Sequence, residues 1–324
     1  MEIGSFLELE LKDTGEFYEG EKDIARLNTG RSGILHALYL LNISSIHLPY
    51  YLCPTVRNFL IKNGIKVLPY HIADNFQPIL ETNDRSTAVL IVNYFGMMSK
   101  EKIIEMSKRL KNVIIDNSPA FFSLPIQSCY NVYSTRKFFG VADGAYVLGP
   151  SASVGTYKYN QDSSSDTSGF LLKRIEKGSS AVYAERTENE NRLDGSCIMK
   201  MSGLTRKILK SIDYENIRVK RLENFNYSQD LFKKFNLLDP EKFIDENCVP
   251  MVYPLLIEDE NLVNNLKINK IYTGRWWKSV LNEVPEYCLE AYLSRFLVPI
   301  PIDQRYGREE IDYIFRIFRN VSNP

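Results

Sequence analysis

Short apolar runs alternate with amphipathic segments over residues 29–150, and this pattern constrains the fold more than any other feature of the chain. The apolar runs are rich in β-branched and aromatic residues, as buried strands are. They lie at 44–49, 65–72, 87–96, 112–116 and 144–149. Alternating strands and helices predict a doubly wound α/β domain with a mainly parallel sheet, in which ligands bind beyond the carboxyl ends of the strands.

Three helices are predicted between these strands. Residues 33–41 place apolar side chains on one face, and residues 54–64 open on Pro54 and close on Gly64, a favoured start and stop. Residues 99–111 begin with Ser99, which can cap a helix, and end on basic residues.

The second half of the chain has a different sequence pattern. Residues 159–169 are polar and predict a mobile loop or an excursion, whereas 203–236 predict one long helix or a kinked pair. A strand at 248–257 follows, and two terminal helices flank the apolar run 296–302.

With 324 residues, 44% of them hydrophobic, the chain is long enough for two domains. We expect a large α/β domain over 1–205 and a smaller α/β domain over 206–324. Forty basic residues balance forty acidic ones, so no net charge favours nucleic acid or an anionic membrane as a partner.

The five cysteines are widely spaced and include no C-x-x-C pair, which suggests neither a disulfide framework nor a zinc or other metal site. The first residues lack a charged segment leading into an apolar one, and no apolar run is long enough to cross a bilayer. We therefore expect a soluble, unprocessed cytoplasmic protein without a membrane partner.

Polar residues at predicted strand ends are the candidates for chemistry. Asp116 ends the run 112–116, where its carboxylate faces the ligand edge of the sheet. It can equally begin an Asx turn ahead of Pro119. Gly30 and Arg31 precede the helix at 33–41, and backbone N–H groups at a helix start favour an anion such as phosphate, although any plain helix start has a similar sequence.

Lys137 lies within VYSTRKFFGVADGAYV, residues 132–147, close to the hydroxyls of Ser134 and Thr135. The charge of Arg136 would lower the pKa of this lysine if the two side chains are near in space. Alternatively, Lys137 is a surface residue at the end of a strand.

The order of these signals along the chain indicates pyridoxal phosphate. A helix start for the phosphate is followed by an acid for the pyridine nitrogen and then by a lysine for the Schiff base. The acid keeps the ring nitrogen protonated, and the ring then accepts the electrons of a substrate carbanion.

Several blocks of the chain resemble successive segments of the DegT/StrS-type sugar aminotransferases, a family of fold-type-I pyridoxal-phosphate enzymes. The blocks are TGRSGILHALYLL, IHLPYYLCPTVRNFLIKNGIKVLPYHI, VLIVNYFG, VIIDNSPA, YSTRKFFGVADGAYVLG, LTRKILKSIDYENIRVKRLENFNY and LSRFLVPIPIDQRYGREEIDYIFRIFRNV. They cover most of the chain except about 150–200. The resemblance implies a large cofactor-binding domain and a smaller C-terminal domain.

The resemblance implies that Lys137 forms the Schiff base and that Asp116 pairs with the pyridine nitrogen. Backbone groups of Gly30 and Arg31, together with the Ser134 hydroxyl, would bind the phosphate.

Two further residues are weaker cofactor candidates. Tyr51 would pack on the cofactor ring, or would simply belong to the core. Asn93, at another strand end, would touch the ring hydroxyl or have no role in the site.

The chain also departs from the family pattern. Pro119 stands where many members carry a His or Gln, and Arg31 replaces the threonine of the phosphate helix. Residues 170–196 do not match the stretch that crosses to the partner subunit in relatives. Arg186 and Arg192 in this tract could meet an anionic group, but a solvated charged helix is the favoured interpretation.

The resemblance implies a homodimeric aminotransferase with shared active sites, moving an amino group from glutamate to a nucleotide-linked keto sugar for surface polysaccharide or a related glycoconjugate. Lys137 would be both the anchor of the cofactor and the general base. Two alternatives stay open: another pyridoxal-phosphate enzyme, a lyase or racemase, and a nucleotide-sugar binding or regulatory protein with a vestigial site.

Overall fold

A computed structural model describes residues 3–322 of the chain. Residues 1, 2, 323 and 324, which the expected domains and the analysis of the N-terminus include, lie outside the described residues. The strands are β1 (Ile24–Leu27), β2 (Ser45–Pro49), β3 (Lys66–Tyr70), β4 (Ala88–Val92), β5 (Val113–Asp116), β6 (Tyr130–Ser134), β7 (Ala145–Leu148), β8 (Val252–Leu256) and β9 (Leu297–Pro301). The helices are α1 (Gly30–Leu41), α2 (Pro54–Lys62), α3 (Lys100–Arg109), α4 (Gly169–Ala181), α5 (Tyr183–Gly195), α6 (Gly203–Lys210), α7 (Tyr214–Phe232), α8 (Leu262–Ile268), α9 (Leu289–Phe296) and α10 (Arg308–Ser322).

The first seven strands form one sheet in the order β1-β7-β6-β5-β4-β2-β3. Only β7 runs antiparallel to its neighbours, so the sheet is mainly parallel as predicted. All residues of β4 to β7 are buried, which explains why these strands are continuous apolar runs and not alternating patterns. Because the other six strands point the same way, their carboxyl ends meet at one edge of the sheet.

Helix α1 begins three residues earlier than predicted. Thr29 caps it, its hydroxyl accepting a hydrogen bond from the N–H of Ser32 at 3.2 Å. A side chain at Gly33 would place its Cβ 2.8 Å from Val132 and 3.0 Å from Val147. Glycine at this position therefore allows α1 to pack closely against β6 and β7.

The predicted strand at 87–96 is shorter in the structure. It ends at Val92, and a short 3-10 helix, Tyr94–Gly96, follows with Phe95 in the left-handed region at φ 59°. The edge strand β1 was not predicted, because its four residues IARL give too little periodicity to recognise.

The C-terminal part pairs β8 with β9 in a second, two-stranded antiparallel sheet. The run 203–236 forms a kinked pair, α6 and α7, with Asp213 capping α7 through the N–H of Asn216 at 3.0 Å. The expected boundary at 205 and 206 falls inside α6, and the division into two domains stays a prediction. None of the helices within residues 3–322 is long and apolar enough to cross a membrane.

Residues 159–169 form an excursion, one of the two alternatives predicted for them, and polar groups within this segment are buried and paired. The carboxylate of Asp162 binds Arg192 at 2.7 Å, and the hydroxyls of Ser164 and Ser202 lie 2.7 Å apart. The segment is therefore held against α5 and the start of α6.

Candidate active site

The carboxyl ends of the parallel strands collect most of the predicted site residues at one edge of the large sheet. Asp116 is the last residue of β5 and Ser134 is the last residue of β6, the neighbouring strand. Gly30 begins α1 beside them: a Cβ there would lie 3.0 Å from the Ser118 hydroxyl and 3.9 Å from Ser134. The topology thus brings together residues that are 104 positions apart in sequence (134 − 30).

The start of α1 has backbone donors facing this edge. The Thr29 hydroxyl accepts the N–H of Ser32. The other N–H groups in the first turn of a helix have no partner inside the helix. The N–H groups of Gly30 and Arg31 are therefore available to an anion, and the helix dipole favours negative charge there. The Arg31 side chain points to other partners, since its guanidinium pairs with Asp194 at 2.9 Å and lies 5.6 Å from the Phe59 ring centroid.

Asp116 is buried, with 5% of its surface exposed. One carboxylate oxygen accepts the N–H of Ser118 at 2.9 Å, which is the Asx turn that the sequence allowed. Desolvation raises the pKa of Asp116 above its ordinary value, against the opposing effects of Ser118 and Lys137. A buried carboxylate of this kind is stabilised by a cationic or N–H partner, so the Asx turn does not exclude a binding role.

Lys137 follows β6 in a short 3-10 helix, Thr135–Lys137, and does not continue the strand. Its side chain is exposed, yet protein atoms surround the amine closely enough that desolvation lowers its pKa below the ordinary lysine value. The positive charges of Arg136 and Arg186 lower this pKa further, as the sequence predicted for Arg136. A lowered pKa increases the fraction of neutral, nucleophilic amine at neutral pH.

The sequence analysis did not identify two residues near Lys137, namely Cys53 and Glu190. Glu190, on α5, forms an ion pair with Arg136. Burial opposes ionisation of Glu190, but Arg136, Arg186 and Lys137 together lower its pKa. Most residues of α4 and α5 are exposed, in line with the solvated charged helix that we favoured, but Asn189 and Leu193 are buried and Glu190 pairs with the neighbour of Lys137.

Cys53 is the N-cap residue of α2 and follows β2 at the same sheet edge. Its thiol lies 3.1 Å from the Thr55 hydroxyl and close enough to Lys137 and Arg31 to influence the pKa of both. Its position after a parallel strand was the signal that could have identified it.

The structure favours the second interpretation given for each of two weaker candidates: a core position for Tyr51, and no role in the site for Asn93. Tyr51 is fully buried, with its ring 4.6 Å from Trp277, so it belongs to an aromatic cluster of the core. Asn93 donates to Asn117 and Ser123 at 3.1 Å each and accepts the N–H of Met98 at 3.0 Å. These bonds use both ends of the Asn93 amide to hold the turn after β4.

The segment after Lys137 is held in place from two sides. The hydroxyl of Thr135 donates to the carbonyl oxygens of Asp143 at 3.2 Å and Gly144 at 2.9 Å. The Asp143 carboxylate, fully buried, accepts bonds from the N–H and the hydroxyl of Ser202 at 2.7 and 2.6 Å, and so holds the residue that caps α6. Lys137 is consequently presented by a rigid turn and not by a free loop.

Behind the turn, Arg221 of α7 supports Phe138. The guanidinium carbon lies 4.4 Å from the Phe138 ring centroid, and burial lowers the pKa of Arg221 to about 10. Its Nη1 donates to the carbonyl oxygen of Met251 and its Nε to Gln304, each at 3.0 Å, while Gln304 donates to the Phe138 carbonyl oxygen at 2.8 Å. Arg221 therefore connects the small sheet to the residue next to Lys137.

We expect Arg221→Met to lower the free energy of unfolding by several kcal/mol. The substitution keeps the apolar stem but removes the cation from the Phe138 ring and leaves two partly buried acceptors without a donor, at up to about 1–3 kcal/mol each. Urea denaturation followed by circular dichroism measures the change. Arg218→Met, one turn earlier and paired with the exposed Glu215, is the control and should change stability by less than about 1 kcal/mol. Equal effects of the two substitutions would contradict the supporting role of Arg221.

No protein-family model matches the sequence, and no curated protein is significantly similar to it. Solved structures do match over almost the whole chain. A DegT DnrJ EryC1 StrS aminotransferase from Brucella abortus is 13% identical, with a TM-score of 0.64, over 95% of this chain and 88% of that one. The sugar aminotransferase CalS13 from Micromonospora echinospora is 14% identical, with a TM-score of 0.61, over 93% and 88%. The PMP form of Spr1654 from Streptococcus pneumoniae is 13% identical, with a TM-score of 0.65, over 94% and 89%.

At such low identities the likeness establishes the fold alone. It confirms the predicted α/β fold class with its large, mainly parallel sheet, which this chain shares with these solved aminotransferases.

Proposed function

We propose that this chain is a pyridoxal-phosphate-dependent aminotransferase of the DegT/StrS type. The proposal extends to glutamate as amino donor, a nucleotide-linked keto sugar as acceptor, and a cytoplasmic homodimer with shared sites that serves surface polysaccharide or related glycoconjugate synthesis. One observation carries it. Asp116 ends β5, and Lys137 lies in the turn after the neighbouring strand β6, near enough for its charge to oppose the rise in the Asp116 pKa, beside the start of α1.

The residues at this edge fit the cofactor in three respects. The N–H groups of Gly30 and Arg31 are donors for a phosphate, and the missing side chain at Gly30 leaves room where a Cβ would approach the Ser118 hydroxyl. The buried Asp116 carboxylate has the chemistry to bind a pyridine N–H. Lys137 supplies a primary amine with a lowered pKa. The solved forms of Spr1654 named for PLP and PMP share the fold and support the same cofactor.

Pyridoxal phosphate, when bound, supplies an electron sink for a carbanion at the donor's α-carbon. In this proposal the N–H groups of Gly30 and Arg31, with the Ser134 hydroxyl, bind and orient the phosphate. The Asp116 carboxylate holds a proton on the ring nitrogen. Lys137 would hold the cofactor through Nζ, and its neutral amine would take the proton from the α-carbon of the donor. The hydrogen bonds of the Thr135 hydroxyl hold the backbone of the turn from which the Lys137 side chain extends.

The full-length protein supplied with pyridoxal phosphate tests the proposal. We expect a coloured complex whose colour is lost on adding glutamate but not on adding other amines, and an aminated product, detected by mass, from at least one member of a panel of nucleotide-linked keto sugars. A lyase or racemase would instead transform the amino acid without aminating any sugar. If the protein takes up no cofactor, the result would support the alternative of a vestigial site and would contradict the proposed aminotransferase activity.

A further inference from the structure

Three side chains with metal-binding chemistry meet away from the candidate active site: His71, Cys288 and Glu290. His71 follows β3, whereas Cys288 and Glu290 flank the first residue of α9. One ligand atom from each lies within 4.8 Å of the other two. His71 Nδ1 is 3.2 Å from both carboxylate oxygens of Glu290, across 219 positions of sequence. The fold therefore assembles a nitrogen, a sulfur and an oxygen donor at one point.

The carboxylate of this cluster is buried and held in a fixed orientation. Glu290 exposes only 1% of its surface, and its Oε1 accepts the N–H of Ile72 at 2.7 Å. The other oxygen, Oε2, lies 3.2 Å from His71 Nδ1. Among residues 3–322, His71 is the one basic side chain within ion-pair distance of this carboxylate. Burying an ionised carboxylate is costly unless it is paired or bound to a metal.

The imidazole is also oriented by its surroundings. The His71 ring lies 4.7 Å from the Tyr50 ring, with an interplanar angle of 39°. A cavity of about 620 Å³ borders all three side chains, together with Asp74 and Tyr287. This cavity offers an entry path and room for an additional ligand beside the three protein donors.

The donor set and its spacing fit one class of ion. Two ligand atoms each about 2.0–2.1 Å from a tetrahedral zinc are separated by roughly 3.3 Å, close to the 3.2 Å between His71 Nδ1 and the Glu290 oxygens. Mixed imidazole, thiolate and carboxylate donors suit zinc, whereas calcium and magnesium prefer oxygen alone. We propose that His71, Cys288 and Glu290 bind a zinc ion, with the fourth position open to the cavity.

Such an ion would join the segment after β3 to the first turn of α9. None of the three residues is assigned a role in the proposed aminotransferase chemistry, and His71 follows the outermost strand β3, four strands away from β6 in the sheet. The sequence contained no signal for it, since no two of the ligands form a recognised metal-binding motif.

Cobalt(II) is the probe, because it substitutes for zinc and its thiolate charge-transfer band in the near ultraviolet reports a sulfur ligand. The experiment uses the untagged full-length protein, stripped with a chelator and titrated with cobalt. We expect about one equivalent to bind with a thiolate band that zinc abolishes. Cys288→Ser should lose the band, whereas Cys197→Ser, which changes an exposed cysteine, should keep it.

A second variant guards against loss of folding in the first. His71 is 43% exposed, so His71→Ala should fold normally, as circular dichroism can verify. Loss of an outer-shell partner lowers metal affinity by roughly 10–100-fold. Because His71 is proposed as a direct ligand, the cobalt affinity of His71→Ala should fall by more than this. No thiolate band in the wild-type protein, a band that persists in Cys288→Ser, or an unchanged affinity in His71→Ala would overturn the proposal.

Discussion

Lys137→Ala should abolish amino transfer, in the half-reaction with glutamate and in the half-reaction with the sugar. The substitution removes both the covalent anchor and the base that moves the proton. Loss of a general base alone lowers a rate by roughly 10²–10⁴-fold. We therefore expect the rate of Lys137→Ala to fall by more than this. Single-turnover mixing with glutamate measures the first half-reaction directly.

The same variant has a readout that does not depend on activity. Borohydride should attach the cofactor to the peptide containing Lys137 in the wild-type protein, and mass spectrometry should find no attachment in Lys137→Ala. Lys158→Ala is the matched control, because this exposed lysine lies outside the sheet edge and its loss should change neither rate nor labelling. A Lys137→Ala protein that transaminates at the wild-type rate would show that another amine carries the cofactor.

Asp116→Asn should lower the rate of amino transfer by about 10²–10³-fold, the usual cost of losing one preorganised electrostatic contact. Asparagine is nearly the same shape and its oxygen can still accept the Ser118 N–H, so the Asx turn is kept. Only the negative charge is lost, and with it the ability to hold a proton on the ring nitrogen. Steady-state kinetics and the affinity for added pyridoxal phosphate measure the effect.

This substitution separates the two interpretations of Asp116. If the residue serves only its turn, Asp116→Asn will react at the wild-type rate, and the assignment to the ring nitrogen fails. Asp84→Asn provides the control, because exposed Asp84 forms an equivalent Asx turn with Ser86 at 2.7 Å far from the site. Its kinetics should be unchanged.

Strands and helices of the large sheet could be predicted because their signals are local. Runs such as 112–116 are apolar because both faces of the sheet are covered, and Thr29 or Ser99 can cap a helix whatever lies far away in the sequence. Short or irregular elements could not be predicted, because they carry no such local signal. Four residues at β1 show no period, and the turn after Val92 depends on a left-handed Phe95 that sequence alone does not demand.

The neighbours of Lys137 could be predicted only in part. Arg136 adjoins it in sequence, so its effect on the pKa was foreseeable, whereas desolvation, the larger cause, depends on the protein packed around the amine. Glu190 is 54 positions from its partner Arg136, and it lies in a tract whose charged composition favoured solvent. Cys53 carried no signal beyond its position after a strand.

By itself the sequence determined the alternation of strands and helices, and with it the edge at which Gly30, Asp116 and Ser134 would meet. This follows because hydrophobic periodicity and helix caps act over a few residues, and parallel strands share one carboxyl edge. Tertiary structure decided which side chains face one another across long stretches of chain. It brought Glu190 to the turn of Lys137, placed Tyr51 in the core, and joined His71 to Glu290, because contacts of this kind depend on packing that no local pattern encodes.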